Sequence, residues 1–149
     1  MPSEPPQDLA HLLSRAEHRM ARRLAALLAE EGCTVEQWRV LALVADGQGH
    51  PMTEIAEHVL MPPPSLTKLV DRMVADNLVH RRPDPTDRRR VLLHLTARGR
   101  ITHQRAAHRV HEDQARLLAA IDDHGELARA LTRLTAASGG RLARAEPAG

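Results

Sequence analysis

Three consecutive prolines, Pro62-Pro63-Pro64, interrupt a chain that is otherwise patterned almost throughout as helix. A residue before proline is pushed out of the α region, and proline itself has no N–H to give to a helix. One helix must therefore stop before this point and another start at it. Upstream, Thr53 is positioned to cap a helix from Glu54 to about Leu60, with Ile55, Ala56, Val59 and Leu60 as its buried face. Glu54 and Glu57 sit near its positive end, where carboxylates are favoured. Downstream, Leu66, Leu69, Val70 and Met73 recur at i, i+3, i+4, i+7. The pattern predicts that Pro62 and Pro63 stay extended and that the second helix starts at Pro64, within a residue, and runs to about Asn77.

Strand patterns follow. Residues 78–82 and 90–95 read as strands, with Val91, Leu93 and Leu95 alternating toward one face. Pro83-Asp84-Pro85-Thr86-Asp87-Arg88-Arg89 between them is turn chemistry with charge at its tip. Two short helices joined by a sharp turn, then a hairpin tipped with arginine, define a winged helix-turn-helix, an architecture whose usual partner is DNA. Residues 62–100 carry nine Lys or Arg against four Asp, a local charge of +5 on a chain of net charge +2. Such a patch is the electrostatic footprint of a nucleic-acid reader.

The flanks read as helical scaffolding. A first helix begins at Asp8 and carries Leu9, Leu12, Leu13, Ala16, Met20, Leu24, Leu27 and Leu28 at helical spacing before Gly32 ends it. Thr34-Val35-Glu36-Gln37 is a capping box opening a second helix. The segment 47–51 reads as a turn-rich link. Thr96 opens a long helix to about Ala120, odd in having few apolar residues between Ile101 and Leu117, as a surface helix or one lining a polar cavity would. A last helix runs from Glu126 to about Ala143, and residues 1–7 read as a disordered tail. Trp38 is the only Phe, Trp or Tyr, so the core must be aliphatic. No apolar run reaches the length of a membrane span. The start MPSEPPQD lacks a basic region followed by an apolar one, so a cytoplasmic protein is expected. Cys33 is the only cysteine, which excludes an internal disulfide. A Gly-rich phosphate loop, a nucleophile motif and a metal box are all missing from the sequence, so an enzyme is not expected, nor a bound cofactor.

A series of short matches, Thr34-x-x-Gln37-x-x-Val40-Leu41, Thr53-Glu54-Ile55-Ala56, Leu69-Val70-Asp71-Arg72-Met73, Asn77-Leu78-Val79-x-Arg81, Asp84-Pro85-x-Asp87-Arg88-Arg89 and Leu95-Thr96-x-x-Gly99, resembles the MarR family of winged-helix transcription regulators in order and spacing. The resemblance extends in layout to nearly the whole chain. It implies a mainly α fold with a small β-hairpin wing, in which 34–96 form the DNA-binding region and 8–33 and 97–145 build a homodimer. It implies a repressor of a pseudo-palindromic double-stranded operator, released by a small phenolic or carboxylate ligand. The apolar stripes at 8–31 and 126–143, more than a lone winged helix needs, agree with twofold pairing.

On the second helix of the reader, Lys68 and Thr67 are the candidates for base edges, Lys through guanine O6 and N7 and Thr through a thymine methyl. Pro64 can pack on a thymine methyl, and Pro64, Lys68, Asp71 and Ala75 lie opposite the apolar stripe. Pro62 and Pro63 depart from the family, which often has a hydrogen-bonding residue there. They remove phosphate-binding N–H groups and shift backbone contacts to Ser65 and Arg72. In the wing, the resemblance places Arg89 in the minor groove, braced by Asp87, with Arg88 and Arg90 free to serve phosphates. A ligand pocket between the dimer helices and the reader would draw on His11, Arg15, His18, Trp38 and Arg39, an arginine there suiting a carboxylate. Each of these five also reads as an ordinary surface or packing residue, and Trp38 first as core. Cys33 reads first as a small buried residue. A redox sensor is the alternative, because the following helix N-terminus would lower its thiol pKa. His108 and His111 stand i, i+3 on one helix with His103 farther round, a weak metal signal that no cysteine joins, and they read first as solvated histidines on an Arg-rich helix. The competing function class is an architectural DNA-binding protein without a ligand switch. A winged helix used for protein contacts is a third, against which the arginine tip argues.

Overall fold

The computed structural model describes residues 8–142, so the expected tail at 1–7 and the end beyond Leu142 lie outside the described residues. The elements in order are α1 (Leu9–Ala29), α2 (Val35–Val44), β1 (His50–Pro51), α3 (Met52–Val59), α4 (Pro63–Ala75), β2 (Val79–Pro83), β3 (Val91–Leu95), α5 (Ala97–Ala120) and α6 (Glu126–Leu142). The chain divides into two units, Met1–Val110 and His111–Gly149. The fold is mainly α with one small antiparallel sheet.

Local chemistry sets most boundaries of the first unit. The Asp8 carboxylate accepts from the Ala10 N–H and opens α1. Gly32, at φ +67°, reverses the chain after it, a left-handed conformation that costs glycine little. The capping box is complete. Thr34 Oγ1 accepts from the Gln37 N–H at 3.1 Å, and Gln37 Oε1 accepts from the Thr34 N–H at 3.0 Å. The core is aliphatic, as the lack of aromatics requires. Leu28, Val40, Leu41, Val44, Ile55, Val59, Leu66, Val70, Met73, Val79 and Leu93 are all buried. They come from α1 to α4 and from the sheet, so the two short helices and the hairpin share one interior.

The structure departs from the sequence reading at several points. The 47–51 link contains β1, which pairs antiparallel with β3 (His50 with Leu93, Pro51 with Leu92) and gives the sheet the order β1-β3-β2. α3 starts at Met52 with Pro51 as its N-cap, two residues before the expected Thr53 cap. Pro63 is helical rather than extended, so α4 carries prolines at its first two positions and only Pro62 stays extended. First-turn N–H groups have no partner inside a helix, so both prolines are tolerated there. Leu60, expected on the buried face of α3, is 84% exposed in a left-handed conformation at φ 56°, ψ 43°.

α5 begins on a lock that explains Leu95-Thr96-x-x-Gly99. The Thr96 N–H donates to the Leu78 carbonyl, and Thr96 Oγ1 donates to the Asn77 carbonyl and accepts from the Gly99 N–H. Gly99, Ala106 and Val110 are buried, with His103 on the same face at helical spacing. The helix thus packs through small residues, which accounts for its sparse apolar pattern within the first unit. Arg109 is ion-paired to Glu30 and Glu31, tying α5 to the end of α1. In the second unit, the Asp123 carboxylate accepts from the N–H groups of Glu126 and Leu127 and opens α6.

Candidate nucleic-acid interface

α4 buries Leu66, Val70 and Met73 and exposes Pro64, Ser65, Thr67, Lys68, Asp71, Arg72 and Ala75, the division its periodicity predicted. With prolines at the first two helical positions, its first turn offers a single main-chain N–H, that of Ser65. The Thr67 hydroxyl donates to the Pro63 carbonyl at 3.0 Å, which leaves its methyl as the group available to a base edge. Asp71 is not free on this face. Arg81 Nη2 donates to its Oδ1 at 2.6 Å, and the pair ties the middle of α4 to β2. Arg81 belonged to a family motif in the sequence, yet its spacing from Asp71 gave no sign of this link, because the two meet only when β2 packs beside α4.

The wing is a hairpin with Arg81 opposite Leu93, Arg82 opposite Leu92 and Pro83 opposite Val91. Two aspartates build its tip. Asp84 is buried, and its Oδ1 accepts from the Thr86 N–H at 2.9 Å and the Thr86 hydroxyl at 2.8 Å. Those bonds, with the nearby Arg90 charge, hold its carboxyl below the usual carboxylate range. The Asp84 N–H closes the loop onto the Arg90 carbonyl at 2.9 Å. Asp87 braces the tip through the main chain, its Oδ1 accepting from the Arg89 N–H at 3.1 Å and its carbonyl from the Arg90 N–H at 3.0 Å. Arg88, Arg89 and Arg90 all stay exposed. A rigid frame thus presents three guanidinium groups to solvent, as a reader of phosphates or a narrow groove requires.

At the root of the wing, buried His50 lies between two carboxylates, Nε2 at 2.9 Å from Asp46 and Nδ1 at 3.0 Å from Glu54. Burial alone would lower its pKa, but the two hydrogen-bonded carboxylates outweigh that and raise it above 6.5. A raised pKa stabilises the fold fully below the unfolded value and loses that contribution as pH rises through the folded one. The stability advantage of the wild type over His50→Asn is therefore larger at pH 6 than at pH 8, measured by urea unfolding at both. An advantage independent of pH would mean that folding leaves the His50 pKa unshifted, and one that grew with pH would mean that the fold holds His50 neutral. His94, stacked on His80 at 5.6 Å between ring centroids, is shifted the other way, first by burial and then by the charges of His80, Arg82 and His50.

The residues considered for a ligand pocket separate. His11, Arg15 and His18 are exposed on α1, whereas Trp38 and Arg39 are half-buried on α2. Trp38 packs against the core and stacks on His103 at 5.3 Å, a partner from α5 that the sequence could not reveal. Cys33 is buried, with Sγ 3.4 Å from the Thr34 carbonyl, and burial pushes its thiol up to about 11. The expected lowering by the α2 N-terminus is overturned, and a thiol protonated at neutral pH is a poor nucleophile. Among the described residues, no group of three His, Cys, Asp or Glu side chains is placed to hold a metal ion, and no helix is long and apolar enough to cross a membrane.

The sequence profile of the MarR family matches residues 31–90, from the end of α1 to the wing tip. The transcriptional repressor CouR, solved bound to a 23-mer DNA duplex, is 30% identical with a TM-score of 0.75, the match covering 86% of this chain and 92% of that one. NadR, solved with 4-hydroxyphenylacetate, is 25% identical with a TM-score of 0.71, over 98% of this chain and all of that one (100%). The transcriptional repressor IacR of Pseudomonas putida is 31% identical over 87 residues, 58% of this chain and 52% of that protein. In sequence, the chain thus matches about half the length of this relative. The chain belongs to the MarR family, and it is a winged-helix, DNA-binding transcription regulator rather than an enzyme.

Proposed function

We propose that this protein is a homodimeric repressor that holds a pseudo-palindromic operator until a small phenolic or carboxylate ligand releases it. The observation that carries the DNA-binding part is the wing tip, where Asp84 and Asp87 fix a loop that leaves Arg88, Arg89 and Arg90 exposed. The outward face of α4, with Ser65, Thr67, Lys68 and Arg72, supplies the major-groove element. Pairing of two copies is supported by apolar side chains left in water, Leu9, Leu12 and Met20 on α1 and Leu127 and Leu131 on α6. Two copies of α4 would then address half-sites about 34–36 Å apart. The ligand class is supported by NadR, solved with 4-hydroxyphenylacetate, and by a 30%-identical relative from Escherichia coli named the homoprotocatechuate degradative operon repressor. His11, Arg15 and His18 on α1, with Trp38 and Arg39 on α2, remain the side chains proposed to meet it.

The test is a footprint on the DNA upstream of the protein's own gene, repeated with a panel of hydroxylated aromatic acids, with Trp38 fluorescence read in parallel. A single protected pseudo-palindrome, bound by a dimer in sedimentation and vacated on adding one of the acids, is the expected result. Protection without sequence preference at physiological salt would make it an architectural protein. Protection that no acid relieves would remove the ligand switch.

A further inference from the structure

We propose that Leu60 is a specificity-determining residue that packs on the 5-methyl group of a thymine in the major groove. The proposal rests on the operator-binding role above and assigns it a contact at the turn between α3 and α4.

Leu60 closes α3 in the left-handed region, at φ 56°, ψ 43°, where a side chain beyond Cβ crowds its own backbone. That conformation is held from inside the fold, since the Leu60 and Met61 N–H groups both donate to the Ala56 carbonyl. Among the described residues nothing repays the strain by burying the side chain, which is 84% exposed. The left-handed residue serves the turn, but an apolar side chain held there in solvent points to a contact beyond the described residues.

The surroundings narrow the partner. Leu60 borders an open cleft of about 340 Å³, lined also by Thr53, Ala56, Glu57, Met61 and Pro63. A phosphate does not fit there. Pro62, Pro63 and Pro64 remove three main-chain N–H groups beside the cleft, and the Glu57 carboxylate repels an anion. Pro63, which lines the cleft, is the first residue of α4, and its carbonyl accepts the Thr67 hydroxyl on the exposed side of that helix. The apolar group that duplex DNA offers on the major-groove side is the thymine methyl, and aliphatic contact with it discriminates among bases.

The experiment uses the full-length protein and the operator found by footprinting, with each half-site thymine replaced singly by deoxyuridine, which deletes only the methyl. At one thymine, wild type loses about fourfold to tenfold in affinity on deoxyuridine. Leu60→Gly binds the thymine operator weaker by a similar factor, is indifferent to deoxyuridine at that position, and melts no lower than wild type, because glycine adopts the left-handed region freely. Leu60→Met keeps the preference. If Leu60→Gly binds as wild type does, or loses equally on thymine and deoxyuridine duplexes, the contact is not with a methyl group and this inference falls while the operator-binding reading stands. If wild type protects no site at all, both fall.

Discussion

Gly99→Ala destabilises the DNA-reading unit by about 3 kcal/mol, at the upper end of what inserting a methyl into a packed interior costs. A Cβ on Gly99 would run into the Leu78 carbonyl oxygen, a main-chain atom that cannot swing aside as a side chain does. That oxygen already accepts the Thr96 N–H at 3.1 Å, and Thr96 Oγ1 accepts the Gly99 N–H at 2.9 Å. The substitution must therefore push α5 away from the segment between α4 and β2 and stretch both bonds. For a unit of this size the melting temperature should fall by roughly 10 °C. Gly139→Ala is the internal control. It sits in α6 with nothing of its own chain within 4 Å of the added Cβ, so helix propensity governs and raises stability by up to about 1 kcal/mol. Opposite signs for the same chemical change separate packing from propensity. Equal melting of Gly99→Ala and wild type would show that α5 does not rest on Leu78.

That contact also marks where reading from sequence stops. The periodicity of α1, α2, α4 and α6 was visible because amphipathic helices write an apolar face at i, i+3, i+4 spacing, and the capping box at Thr34 and Gln37 is a local pattern. β1 was not visible. It is two residues long, too short for alternation, and exists only because His50 and Pro51 meet Leu93 and Leu92 some forty residues later. Pro63 was misplaced because the bias against helix before proline is weaker than the tolerance of a helix's first turn for a missing N–H. Leu60 was assigned to the core on hydrophobicity, but the left-handed turn at that residue carries its side chain off the stripe. At the candidate site, the exposure of Lys68 and of Arg88 to Arg90 followed from pattern and turn chemistry. The Asp71–Arg81 pair and the Trp38–His103 stack did not, since each joins elements that only the tertiary fold brings together.

Arg89→Ala lowers operator affinity at least tenfold at physiological salt and reduces the slope of log K against log salt by about one. Asp87 accepts the Arg89 N–H and Asp84 the Thr86 N–H and hydroxyl, so the loop keeps its shape when the Arg89 side chain is cut back. The variant then loses a guanidinium and little else, and its melting should match wild type. A minor-groove arginine gains most from the negative potential of a narrow A/T tract, so the loss should shrink when the flanking tract is replaced by G/C. Lys68→Ala makes the contrast. Its loss should concentrate on operators that carry guanine at one major-groove position and leave the flanking dependence intact. Asp84→Ala tests the frame itself. With its bonds to Thr86 gone, the loop that carries all three arginines loses its fixed shape, and binding should weaken even though no positive charge has been removed. An Arg89→Ala variant that binds its operator with wild-type affinity and wild-type salt dependence would sink the assignment of the wing to DNA, and would leave α4 and the turn before it as the reader.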